Sequence, residues 1–187
     1  MTNKAYPRYI LKNIMHDDRI EAGISQEAIG KCLGKTQRQI SDFENGYINA
    51  TPEFMIRWFT VLKAYEHIDL VQYIYSLHPL AAVPITPELN DNAAEALINL
   101  QEQIDEAEDK LGTIRHWISN LRPTRISVLK TDDWQQVYDV YRALQTFLYA
   151  GMREFDLDVD DLTSRWSTKA LTQGVAMTYK PKKAAMM

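Results

Sequence analysis

Residues 25–46 read SQEAIGKCLGKTQRQISDFENG. Two short helical patterns lie almost end to end here. Ser25 suits the cap of the first, Ile29 and Leu33 recur four apart on one face, and Gly34 supplies a left-handed stop. Thr36 suits the cap of the second, with Ile40 and Phe43 inward and Asn45-Gly46 at its end. A turn of about three residues between helices crosses them steeply, unlike an antiparallel pair. In a helix-turn-helix unit the first helix rests across a phosphate backbone. The second offers its leading side chains to the major groove. That groove demands donors and acceptors, which Gln37, Arg38 and Gln39 carry.

Working outward, the flanks supply three more helices. Pro7 suits a first turn, and Leu11, Met15 and Ile20 are expected on one face before Gly23. Thr51-Pro52-Glu53 reads as a cap, a first-position proline and an acid near the positive helix end. The inward set expected there is Met55, Ile56, Phe59 and Leu62, with Trp58 a further candidate. A fifth helix follows through Ile68, Val71, Ile74 and Leu77.

Residues 19–46 resemble the helix-turn-helix of the phage Cro and repressor class, the XRE family. The resemblance rests on Arg19, Gly23, Ser25-Gln26, Leu33-Gly34, Thr36-Gln37, Ile40 and Glu44-Asn45-Gly46. It covers about residues 8–77, the length of a five-helix lambda-repressor-like domain. Several roles are implied by it. Gln26 donates to a DNA phosphate and braces Gln37; Thr36 caps the recognition helix beside phosphate. Gln37 and Arg38 read base edges, with Gln39 a lesser reader, and Asn45 meets the backbone beyond the helix. Arg19 and Glu44 pair inside the domain and are structural.

Beside the resemblance stand departures. Asp42 lies one turn after Arg38. Two roles are open to it, accepting from cytosine N4 or holding Arg38 in a side-chain pair, and the second is expected. Gly30 stands where the family usually has alanine, at some cost in helix propensity. Tyr47, Ile48, Asn49 and Ala50 follow where relatives often carry lysine or arginine. The positive charges at hand are Lys31, Lys35 and Arg38, with Lys4, Arg8 and Lys12 further upstream. Few phosphate contacts imply weak binding by one domain, which makes a dimer on a two-part site the expected form.

Beyond the domain, Pro79, Pro84 and Pro87 mark 79–91 as a semi-stiff linker. From Asn92 a heptad seam begins. Leu97, Ile104, Leu111 and Ile118 take position a; Ala93, Leu100, Ala107, Ile114 and Leu121 take position d. A narrow seam of period 3.5 favours self-association in a coiled coil over packing against the next helix of the same chain. A parallel pair would set Lys110 against Arg115, so an antiparallel pair or bundle is preferred. Pro123 ends this helix, and 125–130 (RISVLK) is a short strand or a loop. Thr131-Asp132-Asp133 caps a helix to about Met152. Its aromatics, Trp134, Tyr138 and Tyr141, read as a packed face rather than a ligand box. A last helix runs from about Asp160 into the 170s, and the tail from Tyr179 is expected to fray.

The whole is therefore expected to be all-α: a DNA-binding domain over 1–78, a linker over 79–91, and an oligomerisation and regulatory module over 92–187. The chain has 187 residues, 45% of them hydrophobic, with net charge −4. That charge argues against wholesale coating of nucleic acid, though not against one basic face. A lone cysteine, Cys32, excludes a disulfide framework. No apolar run suits a signal peptide or a membrane span, so a cytoplasmic protein is expected. Asp156 to Asp161 imitates the start of a calcium loop, but Asp161 and Ser167 occupy the places that need glycine and glutamate. The four histidines lack metal-ligand spacing, and phosphate-loop and nucleophile-elbow motifs are missing. Neither an enzyme nor a cofactor is expected. The expected partners are double-stranded DNA and further copies of the chain. A protein, peptide or small-molecule effector at the C-terminal helices, or an antitoxin role with secondary DNA binding, are the alternative readings.

Overall fold

The computed structural model describes residues 7–86, 92–120 and 131–176, with the side chains of 117, 120, 131 and 133 excepted. The described residues hold eight helices and no strand. Five short ones form the N-terminal body: α1 (Ile10–Glu21), α2 (Gln26–Leu33), α3 (Gln37–Asn45), α4 (Pro52–Val61) and α5 (Tyr65–Tyr75). Then come α6 (Ala93–Asn120), α7 (Thr131–Glu154) and α8 (Val159–Thr172). Pro87, Leu121, Pro123, the 125–130 segment, Lys4 and the tail from Tyr179 lie outside the described residues.

Capping chemistry sets the N-terminal ends. Ser25, Thr36 and Thr51 each accept a bond from the backbone N–H three residues on. Pro52 fills the first position of α4, where a missing N–H costs nothing. Gly34 closes α2 at φ 67°, a conformation that glycine adopts without strain.

One apolar core holds the body together. Leu11, Met15, Ile29, Ile40, Trp58, Phe59 and Val71 are its fully buried side chains. Trp58 lies at its centre, and its indole N–H donates to the Met15 carbonyl at 3.1 Å. Two expectations need correcting. The inward face of α1 is Leu11, Met15 and Arg19, and Ile20 is exposed. Steps of four keep a residue on one stripe, so position 19 is on it and position 20 is not. In α5, Leu70, Val71 and Ile74 are buried while Leu77 lies past the helix end and is exposed.

α6 and α7 form an antiparallel hairpin. Asn92 accepts from the Glu95 N–H, and the Ala93 N–H donates to Glu154 at 2.8 Å, tying the open end. The interior of this hairpin is small: Ala93, Ala96, Ala107, Ala143 and Ala150 are buried, with Leu100 and Ile114. The expectation for the seam is corrected here. Its d residues Leu100, Ala107 and Ile114 are buried within the chain and are not free to meet another copy. Its a residues Leu97, Ile104, Leu111 and Ile118 remain exposed.

α7 also docks on α5. Asp69 accepts from Gln145 Nε2 at 2.7 Å and from the Tyr149 hydroxyl at 2.8 Å, with the Arg142 guanidinium 3.5 Å away. Arg153 pairs with Glu66 at 2.6 Å, and the Tyr65 and Tyr149 rings stack at 5.5 Å. Burial pushes the Asp69 carboxyl above its ordinary range, with the Tyr149 and Arg142 contacts opposing that shift. Burial, with Asp69 beside it, likewise raises the Tyr149 hydroxyl. The proline-bearing segment runs along the same helix. Tyr138 donates to the Leu80 carbonyl at 2.8 Å, and Arg142 donates to that of Val83 at 3.3 Å. α8 buries Ala170 and leaves Leu162, Trp166 and Leu171 exposed.

Candidate nucleic-acid interface

The crossing of α2 and α3 depends on a close approach. A Cβ on Gly30 would sit 2.7 Å from the Lys35 carbonyl oxygen and 3.4 Å from Ile40 Cγ1. Glycine therefore allows the turn to fold tightly over α2, and the Lys35 N–H returns a bond to the Gly30 carbonyl at 2.8 Å. The resemblance implies a small residue here against the recognition helix; the close approach of the Lys35 carbonyl is set by the tertiary fold.

The start of α3 is held by a capping box. Gln39 N–H donates to Thr36 Oγ1 at 3.2 Å, and Thr36 N–H donates to Gln39 Oε1 at 3.0 Å. The Gln39 side chain is thereby folded back on the helix end. Gln37 and Arg38 project from the same turn and are exposed. Among the described residues, no hydrogen bond or ion pair engages the Arg38 guanidinium, and none links it to Asp42. Arg38 thus keeps all its donors for a ligand.

Beneath this surface, Arg19 and Glu44 form a bidentate pair, both side chains buried. Arg19 Nη2 meets Glu44 Oε2 at 2.9 Å, and Nη1 donates to the Ile24 carbonyl at 2.9 Å. This pair joins α1 to α3. Gln26 belongs to the same cluster. Its Nε2 donates to Glu44 Oε2 at 2.8 Å, so its amide is turned to the ion pair and does not brace Gln37.

At the far end of α3, Asn45 donates to the Ser41 carbonyl at 2.8 Å. The Asn45 carbonyl accepts from Lys12 Nζ at 3.4 Å. Lys12 lies against Gly46, where an added Cβ would meet its ammonium at 2.8 Å. The positive charge that residues 47–50 lack is thus brought in from α1. Lys12 and Arg8 border an open groove of about 500 Å³ with Gly46 and Asn49, and Arg8 lies over the Tyr75 ring at 4.8 Å. The sequence showed these charges but not their position, because 33 residues separate Lys12 from Asn45. The remaining cations near the turn are partly engaged. Lys31 pairs with Glu27 at 2.9 Å, and Lys35 lies over the Phe54 ring at 5.9 Å. Cys32 is exposed.

Among the described residues, no helix is long and apolar enough to cross a membrane. Comparison of the chain with curated proteins and with solved structures finds no match. Residues 15–67 match the family described as Helix-turn-helix, a span from the middle of α1 into α5 that contains the whole α2–turn–α3 unit. This is a helix-turn-helix domain of the XRE type, and the chain that carries it is a DNA-binding transcriptional regulator.

Proposed function

We propose that the chain is a sequence-specific repressor that occupies, as a dimer, an operator with two half-sites. The exposed, unpaired Arg38 at the start of a firmly capped α3 is the observation that carries this reading. Its forked donors match guanine O6 and N7, and Gln37 beside it suits adenine N6 and N7. Thr36 and Lys35 lie at the edge of the same turn, where phosphate would run, and Gln26 and Asn45 bracket the groove-facing surface. Gln39 contributes chiefly by capping. Asp42, free of Arg38, is left to accept from a cytosine amino group. In this reading 1–78 is the reader, 79–91 the connection and 92–187 the module that joins copies. The resemblance to phage repressors suggests an operator of phage or mobile-element type.

Selection of duplex DNA from a random pool tests the reading. An enriched inverted repeat is expected. Arg38→Ala should lose one preferred base in each half-site, at about 1–3 kcal/mol of discrimination, with no change in thermal stability. No enrichment at low salt would sink it.

A further inference from the structure

We propose that two copies of this chain associate through the face of the α6/α7 hairpin that carries Leu97, Ile104, Leu111 and Ile118, building a four-helix bundle. The inference gives the dimer proposed above a surface. It starts from an imbalance: the hairpin interior is mostly alanine, with Leu100 and Ile114, while Leu97, Ile104, Leu111 and Ile118 stay outside. Leu97 is 40% exposed, Leu111 47% and Ile118 58%. On α7, Trp134, Tyr141 and Leu144 are exposed as well.

Helical geometry places Leu144 on the side of the α6 stripe, whereas Trp134 and Tyr141, nine and two residues before Ala143, turn away from α6. Ala96 and Ala143 are buried between the helices. One residue onward, a turn of about 100°, come Leu97 and Leu144. Seen end-on, antiparallel helices turn in opposite senses, so equal steps from a shared interface lead to the same side of the hairpin. One residue back from Ala143 and Ala150 come Arg142 and Tyr149, whose side chains reach Asp69 of α5. The DNA-binding body therefore occupies the opposite side, and a partner on the apolar face leaves both readers outward.

The size is sufficient. At about 1.5 Å per residue the stripe from 97 to 118 is about 32 Å long, and two helices about 9 Å apart make a face about 20 Å wide. Pairing two such faces removes on the order of 1,200 Å² of surface, above the ~1,000 Å² expected of a specific interface. A monomer rarely leaves an apolar patch of this extent uncovered. The column of Leu97, Ile104, Leu111 and Ile118 repeats every seven residues without a charged member, so it can meet its own copy under a two-fold axis, with Glu108 and Arg115 at its border.

Sedimentation of the full-length chain at micromolar concentration decides the matter. Twice the 21.6 kDa chain mass is expected. Ile104→Glu with Leu111→Glu should yield a monomer of unchanged helical content, because both side chains are exposed in the single chain. Leu97→Ser with Leu144→Ser, a milder change, should raise the dimer dissociation constant at least tenfold, and it covers loss of helix in the first variant. A monomeric wild type, or a folded Glu variant that stays dimeric, overturns the proposal. Band-shift measurements on the same samples separate the two readings. A monomer that binds one half-site overturns this surface and leaves the DNA reading standing. A dimer that ignores all DNA supports this surface and removes the DNA reading.

Discussion

The N-terminal body and the α6/α7 hairpin bury opposite kinds of residue. In the body, Leu11, Met15, Trp58 and Phe59 are wholly enclosed and the turn that opens α3 is polar. In the hairpin the enclosed residues are mostly alanine, beside Leu100 and Ile114, and Leu97, Ile104, Leu111 and Ile118 face outward. Alanine brings two helices close but removes little apolar surface from water, whereas a buried tryptophan or phenylalanine removes a great deal. The body is thus complete in one chain, while the hairpin leaves apolar surface to be covered. Between them lies a third kind of contact, the largely polar α5–α7 junction around Asp69.

Substitutions can break this contrast, and the largest effect is expected in the body. Trp58→Ala should cost about 3–5 kcal/mol in urea unfolding, since a fully buried aromatic leaves a cavity. Leu111→Ala, made in the monomeric background, should stay within about 0.5 kcal/mol because its side chain is half exposed. Similar costs at the two sites would erase the distinction.

Next comes the ion pair under α3. Arg19→Met alone should cost about 3–5 kcal/mol, because it strands the Glu44 carboxylate among buried groups. Adding Glu44→Leu should restore much of that stability. The double variant would still bind DNA less well if the pair also sets the angle of α3. Thermal unfolding and band shifts on the three proteins separate stability from presentation.

The smallest effect belongs to the junction. The folded-state pKa of Asp69 is raised, so its contribution to stability is fullest below the ordinary carboxylate range. That contribution declines as pH rises through the elevated value. Asp69→Asn keeps an acceptor for Gln145 and Tyr149 but cannot titrate. Wild type relative to this variant should therefore be more stable at acid pH than at neutral pH, as read from urea midpoints. The opposite slope would mean that Arg142 outweighs burial at this site.

Much of the reader was legible in one dimension. Ser25, Thr36 and Thr51 announce helix starts through local hydrogen bonds, Gly34 and Gly46 announce stops, and Ile29, Leu33 and Ile40 repeat on a helical face. Each of these signals acts across three or four residues, so sequence order alone carries it. The apolar periodicity of α6 was equally legible, down to its a and d columns.

What occupied those columns was not legible. A period of 3.5 states that a stripe will be covered, but not by which helix. Only the folded hairpin assigned Ala107 and Ile114 to its interior and left Ile104 and Leu111 outside. The same limit applies to Lys12 at Asn45, to Gly30 under the Lys35 carbonyl and to Asp69 against Tyr149. The latter two stand 80 residues apart in the chain. Local propensity and capping are properties of neighbours in sequence, whereas close approach, burial and pairing depend on how whole helices meet.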